Sequence, residues 1–184
     1  MITYMTRRAS KRSLRQGERR PEPKRSTKHR VDQSRAQFII RTEASTAPVP
    51  SITSPADVAL LLSAEMGALV QEQVRVLLLD TKHRVRACHL VYQGTVSSAS
   101  IRVAEIVRPA VITNAPAILM VHNHPSGDPT PSPEDIHSTH RIADAAALLD
   151  IDLVDHVILG AAGRYHSLKE AGLLRAQTPT GLAA

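Results

Sequence analysis

The sequence predicts an α/β fold in which helices pack on both faces of a mixed β-sheet, an α-β-α sandwich. Short apolar runs, typical of buried strands, alternate with longer segments whose apolar residues recur at helical spacing. Two of these runs, at 74–80 and 85–93, are separated by only four residues, which predicts an antiparallel hairpin. Aromatic residues make up only 2% of the chain, so the core is expected to be aliphatic.

The elements follow from local start and stop signals. Ser54 precedes Pro55, a combination typical of a helix N-cap and a first helical residue. Pro109 lies inside the second helical pattern and is expected to kink that helix or shift its start. The predicted order is a helix at 54–70, strands at 74–80 and 85–93, a helix at 103–114, a strand at 117–121, a helix at 132–149, strands at 153–159 and 164–167, and a short helix at 168–174.

The charge divides the chain into a basic arm and a slightly acidic body. Residues 1–35 hold twelve Lys and Arg against three Asp and Glu, a net +9, whereas residues 36–184 hold eleven against fourteen, a net −3. We therefore predict a basic disordered arm at 1–35, a linker at 36–53, one folded domain at 54–175 and a tail at 176–184. The arm is either a solvated segment without a specific partner or a nonspecific contact for nucleic acid.

Composition also excludes several classes of protein. Cys88 is the single cysteine, which rules out an internal disulfide and a cysteine-based zinc site and fits a reducing compartment. No apolar run approaches the ~18 residues that a membrane span needs. The arm lacks the apolar segment of a secretory signal, so a cytoplasmic location and no membrane partner are expected.

The stretch from His122 to Asp135 carries the strongest chemical signal. Its two histidines, His122 and His124, follow a short apolar strand, and alternate residues of a strand share a face. A loop rich in Pro, Gly and Ser leads to Ser132, which opens a predicted helix with Asp135 in its first turn. Two imidazoles and one carboxylate leave a fourth position for water, as in catalytic zinc sites. The alternative interpretation is a hydrogen-bonded loop without metal.

These residues resemble a known family. His122-x-His124 followed by seven residues and Ser132-x-x-Asp135 matches the JAMM motif of the JAB/MPN metalloproteases. The phrase HNHPSGDPTPSPEDI, with VLLLDTKHRV and DHVILG, closely resembles the RadC-like branch over about residues 55–175. The resemblance implies a cytidine deaminase-like α-β-α domain of peptidase or isopeptidase type. It also implies one zinc per chain, held by His122, His124 and Asp135, that activates a water to attack an amide carbonyl.

The resemblance further implies a general base upstream of the histidines. Glu72, just before the strand that ends in Leu79-Asp80, is the preferred candidate, and Glu105 in the next helix is the alternative. The Ser132 hydroxyl is expected to donate to the oxyanion, to cap the helix, or to do both. His156 is expected either to support a metal ligand or to be an ordinary core histidine.

Two functions follow as hypotheses. The first is a zinc-dependent hydrolase acting on a peptide or isopeptide. The second is a DNA-associated repair accessory protein, with a non-catalytic zinc site and a basic arm that holds nucleic acid. RadC-like chains generally carry a helical domain before the JAMM domain, whereas in this sequence the segment before it is about fifty residues long and basic. Only nonspecific attraction by residues 1–35 is therefore expected. The sequence predicts neither the substrate nor the oligomeric state.

Overall fold

The computed structural model describes residues 38–40, 49–94 and 101–175, so the predicted arm at 1–35 and tail at 176–184 lie outside the described residues. The described residues form three α-helices, one short 3₁₀ helix (Ala161–Gly163) and six strands. The helices are α1 (Pro55–Met66), α2 (Val103–Thr113) and α3 (Pro133–Ala147), and the strands are β1 (Phe38–Ile40), β2 (Glu72–Leu79), β3 (Val85–Gly94), β4 (Ala117–Asn123), β5 (Asp152–Leu159) and β6 (Tyr165–Ser167).

The strands form one mixed sheet in the order β1-β3-β2-β4-β5-β6. The β4–β5 pair is parallel, and the other four pairs are antiparallel. A parallel pair needs a crossover connection, and α3 supplies it between β4 and β5. The predicted hairpin is the β2–β3 pair. The mixed sheet expected from the sequence is therefore confirmed.

Helices cover both faces of this sheet. Along β4, Leu119 and Val121 belong to the core on the α1 side, whereas Ile118 and Met120 belong to the core on the side of α2 and α3. Successive side chains of a strand point to opposite faces, so a strand covered on both sides needs an unbroken apolar run. All seven residues of β4 are buried accordingly. The predicted α-β-α sandwich is confirmed.

Capping residues set the helix boundaries close to their predicted positions. α1 starts after Ser54, whose backbone N–H donates to the Asp57 carboxylate at 2.8 Å. It ends at Met66 with Gly67 as its C-cap, four residues earlier than predicted. α2 ends at Thr113, and its C-cap Asn114 adopts the left-handed conformation with φ of 53°. Such a residue stops a helix because its backbone turns out of the helical path.

The structure differs from the prediction at both ends of the folded body. Strand β1 lies in the predicted linker, where a run of three apolar residues pairs with β3; so short a run gives no periodic signal. The helix predicted at 168–174 is wrong. The chain makes a single turn there, with the Ala171 N–H bonded to the Ser167 carbonyl at 3.1 Å, and Gly172 then takes a φ of 68°. A glycine in that conformation ends a helix.

Within the described ranges, no helix combines the length and the apolar character needed to cross a membrane.

The core on the α2 side gives a direct test of this packing. Ile106 is fully buried on α2, whereas Ile112 on the same helix keeps 66% of its surface exposed. We expect Ile106→Ala to lower the free energy of unfolding by about 2–5 kcal/mol, because the missing side chain leaves a cavity. Urea denaturation followed by circular dichroism measures this loss.

Ile112→Ala is the matched control. An exposed site loses little packing and alanine has the higher helix propensity, so the change should stay within about 0.5 kcal/mol. Equal losses in the two variants would contradict the assignment of the α2 inner face.

Candidate metal centre

Strand β4 delivers the two histidines to one place. The strand continues to Asn123, two residues beyond its predicted end, so His122 is part of the sheet. The His124 backbone N–H donates to the Leu159 carbonyl at 2.9 Å and keeps the chain attached to β5 past the end of β4. As a result, His122 Nε2 and His124 Nε2 lie 2.9 Å apart. The predicted common orientation of the two imidazoles is present.

The first turn of α3 brings Asp135 to these nitrogens. Its Oδ1 lies 3.5 Å from His122 Nε2, and its Oδ2 lies 3.6 Å from His124 Nε2. Ser132 caps the helix as predicted, accepting from the Asp135 N–H at 3.1 Å. In return, the Ser132 N–H and hydroxyl donate to Asp135 Oδ2 at 2.8 and 2.7 Å. The hydroxyl hydrogen of Ser132 is therefore directed at the carboxylate.

Strand β2 contributes Glu72. Val74 pairs with His122 across the two strands, and Glu72 lies two residues earlier on the same face. Its Oε1 is 3.8 Å from His122 Nε2. Glu72, His122 and His124 each offer a ligand atom, all within 4.8 Å of one another, so this group could hold a metal ion.

Glu105, the other candidate base, lies elsewhere in the fold. It occupies the first turn of α2, where its Oε1 lies 3.8 Å from Arg102 Nη1. In the part of the chain that the structure describes, it belongs to no cluster of histidines and carboxylates that could hold a metal. Of the two glutamates named by the sequence analysis, the structure brings Glu72 to the histidines.

The donor spacing fits a small tetrahedral cation. Two nitrogens bound to zinc at ~2.05 Å with tetrahedral angles are about 3.3 Å apart. The separations of 2.9, 3.5, 3.6 and 3.8 Å around the two Nε2 atoms lie close to that value. The His122 side chain is 3% exposed, whereas those of Asp135, His124 and Glu72 are 16–20% exposed. The cluster is therefore closed on the His122 side and open to solvent on the other.

The loop after β4 fixes the ring of His124. His124 Nδ1 lies 2.8 Å from the carbonyl oxygen of Asp128, and a carbonyl only accepts, so Nδ1 carries the hydrogen. When this ring is neutral, its Nε2 lone pair is available to a ligand; when Nε2 also carries a proton, it donates to His122 Nε2, 2.9 Å away. Gly127, with a φ of 81°, turns the loop, and its carbonyl accepts from Arg164 Nη2 at 2.6 Å. A Cβ at this glycine would lie 2.9 Å from the Ala161 Cβ, too close for an ordinary contact.

The charges of His122 and Asp135 favour ligation, whereas a proton on His124 competes with a metal ion. Burial and the neighbouring His156 lower the pKa of His122 well below its ordinary value, so this ring is neutral. Burial raises the pKa of Asp135, but the interactions with His124, His122 and Ser132 outweigh it and hold that pKa well below its usual range. The side-chain interaction with Asp135 raises the pKa of His124. A neutral imidazole and an ionised carboxylate are the forms that bind metals.

Two buried residues extend the cluster inward. His156 Nε2 lies 2.7 Å from His122 Nδ1, and His156 Nδ1 lies 2.6 Å from Thr139 Oγ1. Burial lowers the pKa of His156 to about 4. His156, expected to be either a support for a metal ligand or an ordinary core histidine, is buried and contacts His122. Thr139 had no signal in the sequence, because its role depends on how α3 packs against β5.

Asn123, between the two histidines, holds the backbone on both sides of Glu72. Its Oδ1 accepts from the Gln73 N–H at 2.8 Å, and its Nδ2 donates to the Gln71 carbonyl at 3.2 Å. Successive residues of a strand face opposite sides, so Asn123 points away from the imidazoles. The alternation of β4 could have suggested a structural role for this buried amide, but the identity of its partners requires the pairing of β2 with β4.

Comparisons with known proteins agree with this architecture. The family model of the RadC-like JAB domain matches residues 52–173. A UPF0758 protein of Chloroflexus aurantiacus is 56% identical over 122 residues, which are 66% of this chain and 53% of that protein. Others from a Roseiflexus species and from Clostridium beijerinckii are 49% and 46% identical, over 66% and 67% of this chain and 52% and 53% of their own length.

The chain thus spans about half the length of the curated relatives it matches. The names of these relatives state no activity. The family match covers α1 to β6, including each residue of this cluster of histidines and carboxylates, and the chain belongs to the RadC-like JAB domain family.

Proposed function

We propose that this chain is a zinc-dependent hydrolase that cleaves an amide bond in a peptide or isopeptide. The convergence of two imidazole nitrogens and two carboxylates on one partly open position carries the proposal. An N/O donor set with an open side is typical of catalytic rather than structural zinc sites. The family match supports the proposal, since it covers residues 52–173 and with them the motif residues His122, His124, Ser132 and Asp135.

The two carboxylates suit different roles. Asp135 lies within 3.6 Å of both Nε2 atoms and is held in place by the capping box, so it serves as the third ligand with His122 and His124. Glu72 comes from β2 rather than from α3, and its carboxylate lies 3.8 Å from His122 Nε2 while its side chain is 20% exposed. A carboxylate in that position can take a proton from a water and pass it to a leaving amine.

Bound zinc would lower the pKa of a water and polarise the carbonyl of the substrate. The side chains of the protein supply proton transfer and the positioning of the ligands. Glu72 moves the proton, while Ser132 positions Asp135. For Ser132 also to donate to an oxyanion, its hydroxyl must turn away from Asp135 Oδ2, which it now contacts at 2.7 Å. The Ser132 N–H still donates to the same oxygen, so the carboxylate stays anchored when the hydroxyl turns.

Metal content tests the ligand set. We expect one zinc ion per chain in protein purified without chelators and a fall to well below one in His124→Ala, because the remaining donors cannot complete the site. Elemental analysis measures the ratio. His137→Ala is the control, since His137 is an exposed histidine on α3. Wild-type protein without zinc, or unchanged zinc in His124→Ala, would refute the ligand assignment.

Glu72→Gln separates proton transfer from metal binding. The amide keeps the size of the side chain but cannot accept the proton, so we expect full zinc content and a ~10²–10⁴-fold loss of hydrolysis. The assay is a panel of internally quenched peptides and lysine-branched isopeptides.

Glu105→Gln decides between the two candidate bases. Because Glu105 lies outside the cluster and near Arg102, this variant should hydrolyse the same substrates at the wild-type rate. Loss of activity in Glu105→Gln with retention in Glu72→Gln would reverse the assignment of the base.

The charge of residues 1–35 supports a second property, nonspecific binding of nucleic acid. Residues 1–35 carry a net charge of +9, whereas the remainder of the chain carries −3. We expect binding of a fluorescent duplex to weaken steeply with salt, because each phosphate contact releases counterions. In a variant lacking residues 1–35, anisotropy should show no binding. Equal affinity for the duplex with and without these residues would show that residues 1–35 do not bind the nucleic acid.

A further inference from the structure

The inward side of the cluster is a chain of hydrogen bonds between two of the proposed ligands. It starts at His122 Nδ1, passes through His156 and Thr139, and ends at the backbone carbonyl of Asp135. The three contacts measure 2.7, 2.6 and 2.6 Å. Thr139 and His156 are 0% and 2% exposed, so water does not compete for these contacts. The proposed function assigns no role to either residue.

The contact between Thr139 and the Asp135 carbonyl determines which atom donates in each of the other two hydrogen bonds. The Asp135 carbonyl can only accept, so the single hydroxyl hydrogen of Thr139 points to it. Thr139 Oγ1 must then accept from His156 Nδ1–H. A neutral imidazole carries one N–H, which leaves His156 Nε2 as the acceptor for His122 Nδ1–H. His122 therefore carries its hydrogen on Nδ1 and keeps the Nε2 lone pair.

If the donors and acceptors were reversed, His122 would adopt the other tautomer. If the Thr139 hydroxyl turned to donate to His156 Nδ1, His156 would carry its hydrogen on Nε2 and donate to His122 Nδ1. His122 would then be protonated on Nε2, the atom 2.9 Å from His124 Nε2. A nitrogen that carries a hydrogen has no lone pair for a metal. One hydroxyl hydrogen thus separates a ligating from a non-ligating form of His122.

We propose that Thr139 and His156 are positioning residues that hold His122 in the tautomer that binds zinc. The inference rests on the proposed function in taking zinc as the ion. Thr139 acts only through His156, and His156 only through His122. The acceptor that ends this series of hydrogen bonds is the backbone carbonyl of Asp135 itself, so docking of α3 sets one ligand directly and the tautomer of another indirectly.

Zinc affinity of the full chain tests the proposal. Thr139→Val keeps the shape of the side chain and removes the hydroxyl. It places a methyl group against His156 Nδ1, which favours the hydrogen on Nε2 of His156 and thus on Nε2 of His122. We expect zinc binding, measured by competition with a chromophoric chelator, to weaken by about 10–100-fold, the usual effect of losing a hydrogen bond behind a ligand.

Two variants serve as controls. Thr139→Ser restores a hydroxyl and should bind zinc as the wild type does. Ser138→Ala removes a neighbouring hydroxyl that donates to the same Asp135 carbonyl at 3.0 Å but has no contact with His156 in the described hydrogen bonds. It should also bind as the wild type, which distinguishes the chain of hydrogen bonds from general support of the first turn of α3.

The tautomer gives a second readout that needs no metal. In the zinc-free wild type, ¹⁵N NMR of the histidine rings should show His122 protonated on Nδ1, and Thr139→Val should shift the hydrogen to Nε2. If Thr139→Val does not fold, His156→Leu takes its place, with the same loss of affinity expected. Unchanged zinc affinity and an unchanged His122 tautomer would overturn the proposal. Failure of the wild type to bind zinc would instead overturn the proposed function.

Discussion

The reciprocal capping of α3 by Ser132 and Asp135 is the interaction on which the candidate site depends. An N-cap satisfies backbone donors that the helix leaves unpaired, and here the residue that completes the cap is also a proposed metal ligand. Formation of the helix therefore places the carboxylate. Because α3 is the crossover between the two parallel strands, its first turn must lie near the end of β4, where His122 and His124 project.

The parts of the prediction that succeeded depend on residues close together in the sequence. The β4 apolar run, the spacing of the histidines and the cap at Ser132 are all local, so the α-β-α sandwich and the proximity of the two imidazoles to Asp135 could be predicted from them. Local signals also limit what can be recovered. Gly172 ends a turn that apolar spacing alone suggested was a helix, and β1 is too short to give a periodic pattern.

The parts that were missed depend on pairing between distant segments. The contact between His156 and His122 joins residues 34 positions apart, and that between Thr139 and His156 joins residues 17 apart. Each follows only when β5 is placed beside β4 and α3 is docked across both. Single-sequence patterns predict where an element begins and which face is apolar, but not which polar atoms meet inside the packed core.

The stretch from His122 to His124 contributes two proposed ligands and also holds the strand that carries the proposed base, Glu72. Its alternation sends the two imidazoles to one face and the Asn123 amide to the other. That amide bonds to the backbone on either side of Glu72, at Gln71 and Gln73. The histidines face the metal position while the residue between them fixes the strand that carries the proposed base. A shift of β2 by one residue would break both bonds of Asn123 and turn Glu72 to the opposite face. The distance between base and ligands is thus set by the register of the β2–β4 pair.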